Sequence, residues 1–554
     1  MGESDRHFSF RGRPRVARNG ETILETLARD RPPLLRRSIL YHRPQGAFCG
    51  IGHCAGCLVR VNGRPNVRAC RHVPDDGDFV TTENAWPSPT WDLFGAIGVL
   101  RPNGIDTLRG LRRPAGATRL YQRIVRRFAG TGEPPTEPGA RAISAPALER
   151  TVDVAIVGAG PAGRAAAAAV VAAGRRPIVL ERQLRPPPVD GAEWFPATTA
   201  VFLPPPSGAG DHPFTLLAFG EPARGVRVHA TAVILATGGY DASLLFRGND
   251  RPGVLSAEAA LSLSAPPRRP PFERAVVVGG GARTAEVLAR CADAVEAVIA
   301  PGEIRPEVVR AAAEADISLY PRSLLLRAEG GHRVRAVRIR ARSGGAETRI
   351  ACDAVVLAHR RVPHTQLLFQ AGAAMEWRPD VGAYFPRVGA SGATSVPGLF
   401  VAGSTSGVGE SEREDHSSRV AAAALLGTGT DEIPGPLPSH GPPTELIAYY
   451  RELLRVPGHG RAVACPCVDV LFSEVEEAVR SGYRGIEVVK RYSSLGTGIC
   501  QGRYCLPDAL LLLSILEDRP PEQVGYITQR PPVVPTPLAA FAGLPPPAEG
   551  VARP

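Results

Sequence analysis

The sequence predicts a multidomain protein of mixed α/β and α+β class. Two stretches carry the strand, glycine-rich turn, helix and strand pattern of a dinucleotide-binding unit, one from Asp153 and the other from Ala275. Eight of the ten cysteines fall into two groups, one toward each end of the chain. We therefore expect a central pair of dinucleotide-type domains between two small domains that are each organised by four cysteines.

The length of 554 residues suits three or four domains. The net charge of +11 comes mainly from scattered pairs such as Arg36–Arg37, and no long basic block carries interleaved aromatic residues. This distribution argues against nucleic-acid binding and fits a solvated surface or an acidic protein partner. The start lacks the apolar stretch of a signal peptide, and apolar runs such as Ala165–Ala173 are too short to span a bilayer. We expect no membrane span and a cytoplasmic location.

The stretch from Asp153 to Arg182 is a complete βαβ pattern. Its first turn holds three glycines in GxGxxG spacing: Gly158, Gly160 and Gly163. The first permits a tight turn, the second lets the backbone approach a pyrophosphate, and the third lets helix and strand pack closely. Glu181 ends the second strand, where a carboxylate can accept from a ribose hydroxyl. The pattern predicts a dinucleotide site.

The first cysteine group predicts a [2Fe–2S] cluster. Three cysteines have C-x4-C-x2-C spacing, and a fourth follows a predicted hairpin turning at Asn62-Gly63: Cys49, Cys54, Cys57 and Cys70. This is the spacing of plant-type ferredoxins, whereas zinc pairs usually read C-x2-C twice. Two short strands, His7–Arg11 and Arg13–Arg18, and a helix near Thr22–Ala28 precede it. Zinc is the competing metal, and a site without metal is the other alternative.

The second cysteine group lies near the other end and has the spacing C-x-C followed by C-x4-C: Cys465, Cys467, Cys500 and Cys505. Helices are predicted between the two pairs at Phe472–Ser481 and Gly485–Tyr492. The spacing resembles the small helical [2Fe–2S] domain of bacterioferritin-associated ferredoxin. A second [2Fe–2S] cluster is therefore expected, with zinc or an empty site as alternatives. Cys291 and Cys352 stand alone and are expected to be small buried residues.

The second βαβ pattern departs from the nucleotide-binding rule. Gly279 and Gly281 are present, but Thr284 stands at the third glycine, and the strand Ala297–Ala300 runs into PGEI with no acid at its tip. NAD binding needs close helix packing and a ribose-binding carboxylate. The pattern favours a structural domain over a working NAD(P)H site. The chain is expected to return to the first sheet at Ala354.

Several motifs resemble the sarcosine oxidase alpha-subunit family, which includes opine oxidase, hydrogen cyanide synthase and dye-linked proline dehydrogenase subunits. They are RSILYHRPQGAF (37–48), NVRAC (66–70), ENAWPS (83–88), RPGVLSAEAA (251–260), KRYSSLGTGICQGRYC (490–505) and QRPPVVP (529–535). The resemblance implies an N-terminal β-grasp ferredoxin-like domain, a two-dinucleotide-binding-domain flavoprotein core and a helical [2Fe–2S] domain. Similar flavoproteins carry Gly-Asp where this chain has Gly403-Ser404. FAD is the expected nucleotide, with NAD or another adenine nucleotide as the alternative.

The expected domains follow from these motifs. They are the ferredoxin-like domain (1–100), a linker (101–150), the FAD or dinucleotide domain in two parts (151–270 and 351–430), the degenerate NAD-like domain (271–350), a Pro-rich linker (431–444) and the helical [2Fe–2S] domain with its tail (445–554).

The resemblance implies an electron-transferring alpha subunit of a heteromeric amine or amino-acid oxidase or dehydrogenase. Its expected partners are an electron acceptor and a flavoprotein beta subunit resembling glycine or D-amino-acid oxidase, which would oxidise the substrate. No Ser/His/Asp or paired-carboxylate set stands out in the sequence, so catalytic residues stay unassigned, and His359 and His364 are interpreted as structural. The alternatives are a stand-alone NAD(P)H-dependent reductase and a non-catalytic scaffold with a vestigial nucleotide fold.

Overall fold

A computed structural model of the chain describes residues 5–95 without 30, residues 147–407 with gaps at 185, 207–211, 221–223, 380 and 390, and residues 443–540 without 539. Single helical positions are also described at 418, 422 and 425. The predicted linkers 101–150 and 431–444 lie outside the described residues except for their last positions, as does the end of the tail. A strand already begins at Leu148 and a helix at Pro443, inside both predicted linkers.

The N-terminal domain is built on a five-stranded sheet. Its elements are β1 (Arg6–Phe10), β2 (Arg13–Ala17), α1 (Ile23–Leu27), β3 (Arg36–Arg37), β4 (Pro44–Gln45), β5 (Leu58–Val61), β6 (Arg64–Arg68) and β7 (Phe79–Thr82). The sheet order is β2-β1-β7-β5-β6, with β1 parallel to β7. Asn62 and Gly63 both have positive φ, as tight two-residue hairpins require, so the predicted turn is confirmed.

The first dinucleotide sheet has seven strands. Six of them are β8 (Leu148–Val157), β9 (Ile178–Leu180), β10 (Glu193–Phe195), β11 (Thr198–Phe202), β12 (Phe214–Gly220) and β13 (Arg224–Leu235), and helix α2 (Pro161–Ala172) connects β8 to β9. Their order is β10-β9-β8-β13-β12-β11. The first βαβ unit is therefore as predicted. The sequence reading missed β10, β11 and β12, which lie among the proline runs that follow Glu181.

The second sheet is wholly parallel. The elements of this region are β14 (Gly239–Asp241), β15 (Val254–Ser256), α3 (Ala257–Leu263), β16 (Ala275–Val278), α4 (Ala282–Cys291), β17 (Val295–Ile299), α5 (Pro306–Glu314), β18 (Ser318–Tyr320), β19 (Ser323–Glu329), β20 (Ala336–Ala341), β21 (Thr348–Ala351) and β22 (Ala354–Leu357). The order of the parallel sheet is β15-β22-β16-β17-β18. Strands β19, β20 and β21 form an antiparallel sheet before the chain returns to β22.

The prediction that the chain rejoins the first sheet at Ala354 is wrong. The strand Ala354–Leu357 pairs in parallel with β15 and β16 and lies inside the second sheet. An apolar parallel strand looks the same in either sheet, so only the pairing distinguishes them. The return comes later, after β23 (Arg361–Pro363), α6 (Gln366–Gln370), β24 (Met375–Arg378) and β25 (Ala383–Pro386), when β26 (Leu399–Val401) pairs with β13. The second sheet also starts before residue 271, at Val254.

The C-terminal part is mainly helical and packs on the rest of the chain. Its elements are α7 (Pro443–Leu453), β27 (Val463–Cys465), β28 (Val470–Leu471), α8 (Phe472–Arg480), α9 (Ile486–Ser493), α10 (Leu506–Glu517) and α11 (Pro521–Val524). Both helices predicted between the cysteine pairs are present as α8 and α9. One continuous apolar core joins this part to the second sheet and to the first cysteine loop.

Asp469, in the turn between β27 and β28, attaches the C-terminal part directly to the N-terminal domain. Its Oδ2 accepts hydrogen bonds from the backbone N–H groups of Leu40 (2.8 Å) and Tyr41 (2.7 Å). Its Oδ1 pairs with the guanidinium of Arg43. No helix in the described part of the chain combines the length and apolar character that crossing a membrane requires.

Candidate metal centres and nucleotide site

The first cysteine quartet lies in the loop between β4 and β5 and just after β6. All four thiols are buried. The loop folds tightly because two glycines touch: a Cβ on Gly56 would lie 2.1 Å from the carbonyl oxygen of Gly46. The backbone N–H groups of His53 and Cys54 donate to Cys49 Sγ at 3.4 and 3.3 Å. The loop therefore presents donors to a sulfur, as cluster-binding loops do.

The second quartet is also buried, and it sits at the N-terminal end of α10. Cys465 ends β27, and Cys505 is the residue from which α10 starts. Close approach again depends on glycine, because a Cβ on Gly498 would lie 2.3 Å from Cys467 Cβ. Hydrogen bonds from Cys467 and Cys505 lower the pKa of Cys500 well below its usual value, although burial opposes them. The thiolate is the form that binds metal.

The thiols of each quartet interact with one another. In the first quartet Cys57 Sγ and Cys70 Sγ are 3.4 Å apart, and Cys49 interacts with Cys54. In the second quartet Cys465 interacts with Cys505 and Cys467 with Cys500, and Cys500 also interacts with Cys505. No group of three or more His, Cys, Asp or Glu side chains among the described residues is arranged around a single metal ion. Two thiolates per iron are what a [2Fe–2S] cluster takes, so both donor sets fit that cluster.

Two buried arginines give a second test of the fit. Arg36 and Arg503 are only 3% and 4% exposed, and Arg503 Nε has no hydrogen-bond partner among the described residues. Burial lowers the pKa of both guanidinium groups. The charge of Cys467 raises the pKa of Arg36 and the charge of Cys500 raises that of Arg503, each offsetting part of this effect. A buried guanidinium needs a negative partner. Thiolate-ligated clusters would provide that charge at both places.

The first dinucleotide turn has the geometry that the sequence predicts. Gly158 has φ +103°, and a Cβ there would lie 2.3 Å from the carbonyl oxygen of Ala236. A Cβ on Gly163 would lie 1.9 Å from the carbonyl oxygen of Gly158, whereas a Cβ on Gly160 would meet no atom of the described chain within 4 Å. The open side of the turn is therefore at Gly160, where a pyrophosphate would approach the N-terminus of α2.

Glu181 is buried beside this turn, and its carboxylate is already engaged. Oε2 accepts from the backbone N–H of Ala159 at 2.5 Å, and Oε1 accepts from that of Gln183 at 2.7 Å. Each carboxylate oxygen can accept a further bond, so a ribose hydroxyl remains a compatible partner. The carboxylate also fixes the glycine turn, a role that the sequence reading did not assign to it.

A cluster of polar side chains lies at the same carboxyl end of this sheet as the glycine turn, after β13 and β26. Thr405 Oγ1 accepts from the backbone N–H of Gly238 at 2.9 Å and lies 3.2 Å from Thr237 Oγ1. Thr237 Oγ1 also donates to the carbonyl oxygen of His364. The neighbouring Ser404, which replaces the expected Asp, lies in the short 3-10 turn at Gly403–Ser406. Sequence reasoning missed Thr237 and Thr405, since an isolated threonine after a strand is not a recognisable signal.

The two histidines interpreted as structural have different surroundings. His364 packs on His53 of the first cysteine loop, with ring centroids 4.7 Å apart, and on Tyr240 at 4.9 Å. Burial and then the charge of Arg503 lower the pKa of His364 well below its usual value. His359 is buried against the second dinucleotide turn, and burial lowers its pKa to about 3. Both rings are therefore neutral at physiological pH.

The start of α7 lies beside the second dinucleotide turn. The carboxylate of Glu445 lies so close to Gly302 that a Cβ there would be 1.7 Å from Glu445 Oε2. A cavity at this point is lined by Gly279, Gly280 and Glu445. A carboxylate beside the glycine turn repels a pyrophosphate and occupies part of its space. The contact supports the prediction of a structural domain.

The fold and these sites define a dinucleotide-binding oxidoreductase chain with an N-terminal iron–sulfur domain. Residues 6–85 match the 2Fe-2S iron-sulfur cluster binding domain, residues 213–424 match the pyridine nucleotide-disulphide oxidoreductase family, and residues 460–544 match the sarcosine oxidase A3 domain. The chain is similar to the sarcosine oxidase alpha-like proteins along most of its length. The predicted resemblance and the fold class are confirmed, and the cluster in the C-terminal part stays a prediction.

Individual relatives agree with this assignment. The chain is 28% identical to the sarcosine oxidase alpha chain of Rhizobium meliloti, over 97% of this chain and 57% of that protein. It is 26% identical to an opine oxidase subunit of Agrobacterium tumefaciens, over 71% of this chain and 92% of that protein. The structure of L-proline dehydrogenase from P. horikoshii has the same fold, with a TM-score of 0.68, 20% identity and 98% coverage of both chains. The chain thus spans little more than half of its R. meliloti relative.

Proposed function

We propose that this chain is the electron-transferring, iron–sulfur and nucleotide-binding subunit of a heteromeric amine or amino-acid oxidase or dehydrogenase. The main support is the burial of two complete cysteine quartets, six of whose eight members lie in one core with the second dinucleotide domain. Buried, paired thiols suit one-electron centres that are shielded from solvent. The substrate class follows from the names of the relatives, which are subunits of sarcosine and opine oxidases.

The chain's own residues have distinct parts in this proposal. The four cysteines of each quartet together hold one [2Fe–2S] cluster, so the chain holds two clusters. The turn at Gly160 and the N-terminus of α2 bind the pyrophosphate of a dinucleotide, and Glu181 orients the turn and accepts from the ribose. The nucleotide is FAD, with NAD or another adenine nucleotide as the alternative. Bound FAD would supply two-electron chemistry and the clusters one-electron chemistry.

Substrate oxidation is assigned to a partner. We propose a flavoprotein beta subunit resembling glycine or D-amino-acid oxidase, from which this chain passes electrons to an acceptor. The formal charge of +11 favours docking to an acidic protein surface. A cytoplasmic location remains part of this proposal.

Reduction of a dye by sarcosine, opines, proline and glycine tests the proposal, with and without a co-expressed beta subunit. The chain alone should give little turnover with any of them, and the complex should be active with at least one. Robust turnover by the isolated chain, or an inactive but correctly assembled complex, would contradict the proposal.

Two other functions predict different spectra. In a stand-alone NAD(P)H reductase the visible absorption would bleach rapidly on addition of NADH. The position of the Glu445 carboxylate disfavours NADH binding at the second turn. A non-catalytic scaffold would show cluster bands without flavin bands and no reduction through a partner. The visible spectrum of the purified chain, recorded before and after NADH, separates all three.

A further inference from the structure

A cavity of about 50 Å³ lies between the two cysteine quartets. Its lining includes Cys54 of the first quartet and Cys467 of the second. The aromatic rings of Phe48 and Tyr504 line the same cavity. The two predicted metal centres are therefore neighbours in space, although more than 400 residues separate Cys54 from Cys467 in the chain.

Two aromatic rings connect the quartets directly. Phe48 precedes the ligand Cys49, and Tyr504 precedes the ligand Cys505. Their ring centroids are 5.0 Å apart in an edge-to-face arrangement at 84°. Tyr504 is 2% exposed, so solvent does not intervene. A covalent and van der Waals path thus runs from one cluster loop to the other through two side chains.

The charges around this contact also link the two quartets. Arg36 is buried where Cys467 of one quartet and Cys54 of the other both act on its charge. Arg36 Nη1 also donates to the carbonyl oxygen of Ala55, the residue after Cys54, at 3.1 Å. One guanidinium therefore lies close to both centres.

We propose that the two quartets hold an adjacent pair of one-electron centres that exchange electrons directly across the Phe48–Tyr504 contact. In each exchange one centre loses one electron and the other gains it, and no bond or proton needs to move. The pair then stores two electrons without returning them to the nucleotide. This inference rests on the proposed electron-transfer function and concerns the route inside the chain.

Electron paramagnetic resonance of the full-length, anaerobically reconstituted protein tests adjacency. Full reduction with dithionite should give two signals that broaden or split each other and relax faster than either does alone. Cys70→Ala and Cys465→Ala, which each remove one centre, should leave a single narrow, slowly relaxing signal. Two independent signals in the reduced wild-type protein, or the lack of either cluster, would overturn the proposal.

The bridging role is tested by rapid reduction followed by cluster-specific spectroscopy. Tyr504→Phe keeps the ring and should leave the rate of electron equilibration between the centres close to that of wild type. Tyr504→Leu should slow it severalfold, and Tyr492→Leu, an exposed tyrosine on α9, is the matched control. Phe48→Leu tests the contact from the other side if Tyr504→Leu does not retain its cluster. Unchanged equilibration in the leucine variants, with both clusters present, would exclude this route.

The outcomes are separable from those of the proposed function. If the two signals interact but the chain supports no amine oxidation with its partner, this inference stands and the proposed function is wrong. If turnover depends on the partner but the two signals are independent, the proposed function stands and this inference is wrong.

Discussion

Arg360 and Asp508 form a buried ion pair, with Arg360 Nη2 2.8 Å from Asp508 Oδ1 and both side chains no more than 6% exposed. The pair joins the segment after β22 to the first turn of α10, which starts directly after Cys505 of the second quartet. Ser243 also donates to Asp508 Oδ2 at 2.9 Å. The position of the second quartet therefore depends on a charge pair that burial disfavours.

The stability of this pair should depend on pH. Burial raises the pKa of Asp508 to about 6, against the partial compensation of Arg360. The folded chain then holds this proton more tightly than the unfolded chain, so Asp508 costs stability as pH rises from about 4 to about 6, by about 3 kcal/mol. Urea unfolding at several pH values should show this decrease in wild type, and Asp508→Asn should lack that component. Identical pH profiles would contradict the assignment.

Removing the positive partner should be more damaging. Arg360→Met leaves the Asp508 carboxylate buried without its cation, a change that typically costs about 3–5 kcal/mol. The loss of unfolding free energy should be larger above pH 6 than below, because the carboxyl is protonated in acid. The double variant with Asp508→Leu should recover part of the loss. A variant as stable as wild type above pH 6 would show that the pair contributes little.

Each quartet should bind its own cluster. After anaerobic reconstitution the chain should hold about four irons and about four acid-labile sulfides, two of each per cluster. Cys54→Ser and Cys500→Ser should each remove one paramagnetic signal and keep the other. Cys352→Ser changes a buried thiol outside both quartets and should keep both signals. Loss of the same signal in both ligand variants would contradict two separate sites.

The nucleotide should be lost when the open side of the first turn is filled. Gly160→Val places a side chain where the structure leaves space and where a pyrophosphate would approach. Nucleotide released by denaturation and measured by chromatography should fall to a small fraction of the wild-type content. Ala172→Val, at the exposed end of the same helix, is the control. Full nucleotide content in Gly160→Val would place the site elsewhere.

The closed second turn can be examined with a double-mutant cycle. Gly302→Ala should destabilise the chain by about 1–3 kcal/mol, since its Cβ would overlap the Glu445 carboxylate. Glu445→Ala removes a buried carboxylate oxygen that has no hydrogen-bond partner within the described ranges. Combined with Gly302→Ala, it should restore the stability that Gly302→Ala alone loses. Chemical unfolding of the three variants measures the coupling. Additive effects would show that the two residues do not meet.

The local part of this architecture could be predicted from sequence. The glycines at 158, 160 and 163 and the spacing of Cys49, Cys54 and Cys57 encode turns and ligand sets within short stretches. In such stretches the residue type itself determines the backbone conformation or the ligand chemistry. The hairpin at Asn62-Gly63 and helices α8 and α9 were predicted for the same reason.

Long-range relations could not be predicted in this way. The apolar strand Ala354–Leu357 carries no mark of the sheet it joins, and its assignment to the first sheet was wrong. The approach of Glu445 to the second turn depends on the packing of α7, only the first two residues of which fall in the predicted linker 431–444. The contact of Phe48 with Tyr504 likewise arises only from the packing of two distant domains.

The hydrogen bonds from Leu40 and Tyr41 to Asp469 have a consequence for biosynthesis. Their acceptor is separated from the donors by 429 and 428 residues, so it leaves the ribosome long after the N-terminal domain. Until then the nascent N-terminal domain presents these donors and the first cysteine loop without their final cover. A cluster can therefore be inserted into this domain during translation, while the first cysteine loop is still accessible. Docking of the C-terminal part ends this access.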